Sequence, residues 1–212
     1  MTNFIPIFPL GIIVFPGEEL NLHIFEPRYK QLITDCFAEN KPFGMPTILP
    51  TGLGERGTLV RIKEIVEVYA DGKMDIKTEG ISIFRILEIV KSVPDKLYSG
   101  AIVNYPQNDE NVKSALIKIV TNAIRELHAI LKLNKDFKKS DEELLSYDLA
   151  HHAGLSLVEE YEFAALFRED HRLEYLKRHL KKVLPVLSEM ELLKDRIKLN
   201  GHFKNLSGNF DI

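Results

Sequence analysis

The sequence has one cysteine among 212 residues, no long uninterrupted apolar run and no excess of charge of either sign. Cys36 cannot close an internal disulfide, and the N-terminus lacks the basic start and apolar stretch of a secretion signal. The expected compartment is therefore a reducing cytoplasm. Even the apolar opening Ile5 to Pro16 is broken by Pro6, Pro9, Gly11 and Pro16, far short of the roughly 18 residues that cross a bilayer. With 28 basic against 31 acidic residues and a net charge of −3, no counterion-release drive toward phosphate backbones exists, so nucleic acid is disfavoured as a partner.

The motifs of common chemistries are missing as well. No GxxxxGK(S/T) loop occurs, and Gly52-Leu53-Gly54-Glu55-Arg56-Gly57 fits GxGxxG only by letters, because it precedes a strand instead of following one; it reads as a flexible loop. Seven histidines show no HExxH or paired CxxC spacing. His151 and His152 diverge by about 100° on a helix, and His171 and His179 stand too far apart along one. His128 and His202 have no partners at metal-ligand spacing. No serine sits in a GxSxG elbow, and Cys36 occupies an apolar helical position, as a small buried hydrophobe would. No catalytic residue, metal ligand or cofactor site is expected.

Hydrophobic residues at 45% and charged residues at 28% describe a chain that folds around a real core. Residues 1–106 read as β structure, short runs rich in β-branched residues punctuated by Pro and Gly. Leu20, Leu22 and Ile24 alternate in one strand. Thr58 to Tyr69 and Met74 to Thr78 flank the two-residue turn signal Asp71-Gly72. Ile81 to Val90 reads as a further strand after Glu79-Gly80, and Tyr98 to Tyr105 as the last. About six strands commonly close or half-close into a small barrel. One helix interrupts them: Pro27 suits a first helical turn, and Tyr29, Leu32, Ile33, Cys36 and Phe37 share a face.

Residues 107–212 read as a helical subdomain of about four helices, joined through the polar stretch Asn104 to Asn111. Helical spacing runs from about Glu110 to Leu133. Ser140 with Glu143 and Ser156 with Glu159 are capping-box patterns that open helices, and Gly154 is a stop between them. The last helix spans about Glu169 to Asn200, closed by Gly201 and bent at Pro185. Its basic run Lys177 to Lys182 is balanced by acids on the same helix and reads as a solvated face. The fold class is thus α+β.

The apolar and aromatic residues near the N-terminus are mainly core, with some able to receive an extended peptide. Their order carries a resemblance. The run from Ile5-Pro6-Ile7-Phe8-Pro9-Leu10-Gly11 through Phe15-Pro16-Gly17-Glu18-Glu19-Leu20 to Phe25-Glu26-Pro27-Arg28-Tyr29 resembles the opening of the N-terminal substrate-binding domain of ATP-dependent Lon proteases, especially the stand-alone bacterial forms. Gly57-Thr58-Leu59, Asp71-Gly72, and Glu79-Gly80 followed by Phe84-Arg85-Ile86 fall where that family has its later signatures.

The resemblance implies a PUA-like barrel followed by helices and a role in recognising protein substrates. It leaves no room for the family's ATPase module or Ser-Lys peptidase, so the expectation is a non-enzymatic module. Its partners would be unfolded or apolar protein segments, together with a protease or chaperone. A small-molecule or RNA-binding PUA-like module is the alternative. At residue level, Glu26, Pro27 and Arg28 read as a structural clasp at the start of the helix, the Glu26 carboxylate meeting exposed amides. His23, Phe25, Arg28 and Tyr29 are the candidate peptide-binding residues.

Overall fold

The computed structural model describes residues 2–109 and 115–206, with side chains described as far as Leu199. Six strands, β1 (Thr2–Pro6), β2 (Glu19–Ile24), β3 (Phe43–Leu49), β4 (Gly52–Val68), β5 (Met74–Val90) and β6 (Gly100–Asn104), accompany five helices: α1 (Pro27–Ala38), α2 (Leu116–Ile130), α3 (Ser146–Ala150), α4 (Leu157–Ala164) and α5 (Glu169–Leu206). The chain forms two compact units, residues 1–112 with 155–169, and residues 113–154 with 170–212. A contiguous division at residue 106 therefore omits one feature: the segment carrying α4 returns to the β-rich unit.

In that first unit the sheet runs β1-β6-β5-β4-β3, every pairing antiparallel, with β2 added to β5. The circle closes through the chain after β1, which bridges β3 in parallel at Ile7–Gly44 and Leu10–Thr47. There the Phe8 amide donates to the Gly44 carbonyl at 2.8 Å and the Ile48 amide to the Leu10 carbonyl at 2.8 Å. Pro6 and Pro9 have no amide to give, which suits a seam of isolated bridges.

The turn between β4 and β5 is a three-residue loop, Ala70-Asp71-Gly72, instead of the expected two-residue turn. The Tyr69 amide donates to the Lys73 carbonyl at 2.9 Å across its base, and Gly72 takes φ +75° in the left-handed region. Glu79-Gly80 does not divide two strands. β5 passes through it as one 17-residue strand, and Gly80 marks the place where a Cβ would lie 2.4 Å from the Phe15 carbonyl oxygen. The Gly52–Gly57 run is likewise no loop but the first part of β4, where a Cβ on Gly57 would lie 2.3 Å from the Met45 carbonyl oxygen of β3.

Two apolar clusters fill this unit. Phe8, Ile24, Leu32, Ile33, Phe43, Val60 and Ile76 belong to the one beneath α1, while Ile5, Ile7, Phe84, Ala101 and Val103 pack inside the barrel. Each large side chain fully buried there contributes about 1.5–3 kcal/mol. Tyr29, Leu32, Ile33 and Cys36 face inward as the helical spacing predicts, but Phe37 is largely exposed, one position off the buried stripe. α1 is tied to the loop before β6, where Asp35 accepts from Lys96 Nζ and Tyr98 Oη, both at 2.8 Å. α4 packs on the barrel through Phe163, edge-on to Phe15 with ring centroids 5.4 Å apart, and through Tyr161, whose hydroxyl accepts from the Arg56 amide.

In the second unit α2 buries Val120, Ile124 and Leu127, and α5 buries Leu173, Leu176 and Leu180. Arg172 is fully buried. Its Nε donates to Ser146 Oγ at 2.8 Å, and its guanidinium lies 4.1 Å from the Tyr147 ring centroid, where the ring quadrupole favours a cation.

Three end signals resolve differently. Ser140 and Glu143 do bond, at 2.9 Å, but close only a turn; the helix begins at Ser146, where Asp148 reaches back to the Leu145 amide. Ser156 and Glu159 form the expected reciprocal box and open α4. α5 passes through Gly201 to Leu206 instead of stopping, because a single helical glycine is unfavourable by only about 1 kcal/mol. Pro185 lies within it. The predicted start of α2 over 110–114 and the His202 side chain lie outside the described residues.

Candidate functional site

β2 adds to β5 without a register shift, Asn21 opposite Lys77 and His23 opposite Asp75. Just before the strand the Gly80 amide donates to the Glu18 carbonyl at 2.9 Å. Backbone groups of an antiparallel strand alternate in direction, so Leu20, Leu22 and Ile24 share that inward sense while the N–H and C=O of Asn21 and His23 aim away from β5. Among the described residues no strand pairs on that side. The other free edge, β4 beyond Val60, differs. Two register shifts leave Lys63 and Val66 as extra residues there, and bulges together with lysine are how sheets blunt an edge. The β2 edge carries neither device.

An aromatic and acid cluster stands at the end of this edge. His23 Nδ1 lies 2.6 Å from Asp75 Oδ1, and Tyr69 Oη donates to Asp75 Oδ2 at 2.6 Å. The Tyr69 and His23 hydrogen bonds hold the Asp75 carboxyl below the usual carboxylate range, and the same carboxylate raises the Tyr69 phenol. His23 stacks on Phe25 at 6.3 Å between centroids, and Phe25 is 59% exposed. Val66 and Val68 of β4 are also exposed. Nothing in the sequence spacing joins His23 to Asp75 and Tyr69, which come from a hairpin more than forty residues away.

The clasp residues lie together at the start of α1. Pro27 takes the first helical position, and the Glu26 carbonyl accepts from the amides of Tyr29 and Lys30. The Glu26 side chain does not cap those amides. It holds Arg28 instead, with Nε at 2.9 Å and Nη2 at 2.7 Å from the same oxygen. The Arg28 guanidinium in turn sits 4.5 Å from the centroid of the Tyr29 ring. Tyr29 is only 7% exposed and stacks on Phe8 at 3.9 Å, so its ring belongs to the core and burial raises its phenol pKa. Of the four residues marked for peptide binding, His23, Phe25 and Arg28 stand at the surface and Tyr29 lies beneath them.

Of the other groups that the sequence offers, Cys36 and His128 are buried and His152 is half-buried. Burial pushes the Cys36 thiol up to about 12, the reverse of an activated thiolate. His128 and His152 face each other at 5.3 Å, with Phe137 beside both, and burial lowers the His152 pKa. Among the described residues no three His, Cys, Asp or Glu side chains gather to hold a metal. Within the basic run, Lys177 and Arg178 are both held by Glu174. No described helix is long and apolar enough to cross a membrane.

A closed barrel with one helix inserted after its second strand, a regular unpaired edge on β2, and helices following it in the chain defines the class. Within that class the chain belongs to the family described as the ATP-dependent protease La (LON) substrate-binding domain, whose model matches residues 5–182. The match concerns the substrate-binding domain of that family, not its catalytic parts. Two solved structures share the fold. The Lon N-terminal domain protein from Xanthomonas campestris is 24% identical with a TM-score of 0.64, over 82% of this chain and 96% of that one. The N-terminal domain of Mycobacterium avium complex Lon protease is 14% identical with a TM-score of 0.62, over 86% of this chain and 100% of that one.

Proposed function

We propose that this protein is a non-catalytic module of the cytoplasm that holds extended, apolar segments of other proteins by letting them add as a strand to β2. The observation that carries this reading is the regular outer edge of β2, where Asn21 and His23 direct backbone donors and acceptors outward beside the exposed Phe25. Backbone pairing reads no sequence, which suits a domain that must accept many unfolded chains, while Phe25 and the aliphatic side chains near the hairpin favour apolar ones. Each backbone hydrogen bond contributes about 0.5–1.5 kcal/mol net, and ordering a flexible peptide opposes the sum. Binding is therefore weak and reversible, as suits a module that passes its cargo to a protease or chaperone.

The test is fluorescence anisotropy with labelled apolar peptides and a reduced, alkylated, permanently unfolded protein. Asn21→Pro removes an outward amide without touching a bond to β5, so binding should be lost while the melting temperature barely moves. Phe25→Ala should weaken it several-fold. Binding that is indifferent to both substitutions would refute the strand-addition reading, and no binding across a broad panel would refute the function itself.

A further inference from the structure

The C-terminal half of α5 carries apolar side chains that no described residue covers. Val186, Met190, Leu193 and Ile197 are between 50% and 62% exposed. Their 4-3-4 spacing is the a/d repeat of a coiled-coil seam, and at about 100° per residue all four fall on one narrow stripe. That stripe is turned roughly 100° away from the face on which Leu173, Leu176 and Leu180 are buried.

The residues flanking the stripe say what covers it. Glu189 and Arg196 lie on the same side of it, one heptad apart. Neither forms an ion pair among the described residues, and a separation of two helical turns is too great for them to reach each other. Two copies of the helix packed antiparallel set Met190 against Leu193 and Val186 against Ile197 of the second copy. The same register brings Glu189 of each copy beside Arg196 of the other, making two symmetric ion pairs at the seam. A parallel pair would instead direct Glu189 to Lys194, already held by Glu191 at 3.6 Å, and would leave Arg196 unmatched.

We infer that α5 docks a second copy of this chain, antiparallel, through the Val186–Ile197 stripe. This contact lies in the other unit from the β2 edge and does not depend on the peptide-binding reading. The protein is a homodimer in equilibrium with monomer, presenting two copies of its β-rich unit to one target.

Sedimentation velocity on the full chain from low to high micromolar concentration tests it. The wild type should shift from monomer to dimer, and Leu193→Glu should remain monomeric with unchanged helix content and melting temperature, because the side chain is exposed. Leu192→Glu, equally exposed but off the stripe, should dimerise normally. Glu189→Arg and Arg196→Glu should each weaken the dimer about tenfold, and the double reversal should restore it. A monomer at every concentration, a dimer that survives Leu193→Glu, or a dimer unmoved by either reversal would overturn the inference.

Discussion

Replacing Gly57 by alanine discriminates between a structural and a ligand-binding use of the Gly52–Gly57 run. The added Cβ would lie 2.3 Å from the Met45 carbonyl oxygen and 2.6 Å from the Pro46 Cα. Both are backbone atoms of β3, held by the ladder Met45↔Thr58 and Pro46↔Gly57, so neither can rotate aside as a side-chain tip would. The two strands must separate by about 1 Å, which forfeits contact energy and weakens about two ladder hydrogen bonds. Overpacking of this kind costs roughly 1–3 kcal/mol, and the weakened bonds bring the total to about 3 kcal/mol. For a chain of this length that lowers the melting temperature by about 6–12 °C. Differential scanning calorimetry reads it directly. Gly11→Ala is the control, since its nearest neighbour would be the Ile48 carbonyl oxygen at 3.8 Å, an ordinary contact, and it should melt with the wild type. A Gly57→Ala protein melting within about 2 °C of wild type would refute the close-crossing argument.

Two further outcomes follow from α1 and its approach. Tyr29→Ala empties a site stacked on Phe8 and should destabilise by about 3–5 kcal/mol in urea titration, whereas Phe25→Ala should change stability by no more than about 0.5 kcal/mol. The Asp35 carboxyl is held below its ordinary value, first by the hydrogen bond from Lys96 and also by that from Tyr98. A depressed folded-state pKa means stability that is fully present above the unfolded value of 3.8 and is lost as pH falls through the lower folded value. Asp35→Asn should therefore flatten the acid limb of a stability–pH curve below about pH 4, and an unchanged limb would count against this anchor.

Local signals made β2, both arms of the β4–β5 hairpin, β6, the inserted helix and most of the later helices legible, such as alternation at Leu20 to Ile24, Pro27 at a helix start and the Ser156–Glu159 box; β1 and β3 carry no such signal, and the count of about six strands divided β5 in two. The sequence misled where one residue type serves two purposes. Glu79-Gly80 has the composition of a turn, yet glycine stands there because β5 crosses the Phe15 backbone, and within the Gly52–Gly57 run Tyr161 presses on Gly54 and β3 on Gly57. A barrel was expected from the strand count and from the family resemblance, but the residues that close it were not legible, since closure rests on single bridges at Ile7 and Leu10 with no repeating pattern. The candidate site was half legible. Phe25, Glu26, Pro27 and Arg28 are contiguous, whereas Asp75 and Tyr69 reach His23 only through the pairing of β2 with β5. Tyr29 looked available because the helical period alone does not say how deep a ring sits.

The pairing of β1 with β6 has a consequence for biosynthesis. Thr2 to Pro6 find their ladder partners only at residues 100–104, so on the ribosome the first strand waits, one side unmated, for nearly the whole β-rich region to be translated. The β4–β5 hairpin, whose halves are adjacent in the chain, can form meanwhile and give β2 and α1 a surface to settle on. Ring closure is then the last event, and a pause in translation before residue 104 leaves an open cylinder exposed to whatever chaperones attend the exit tunnel.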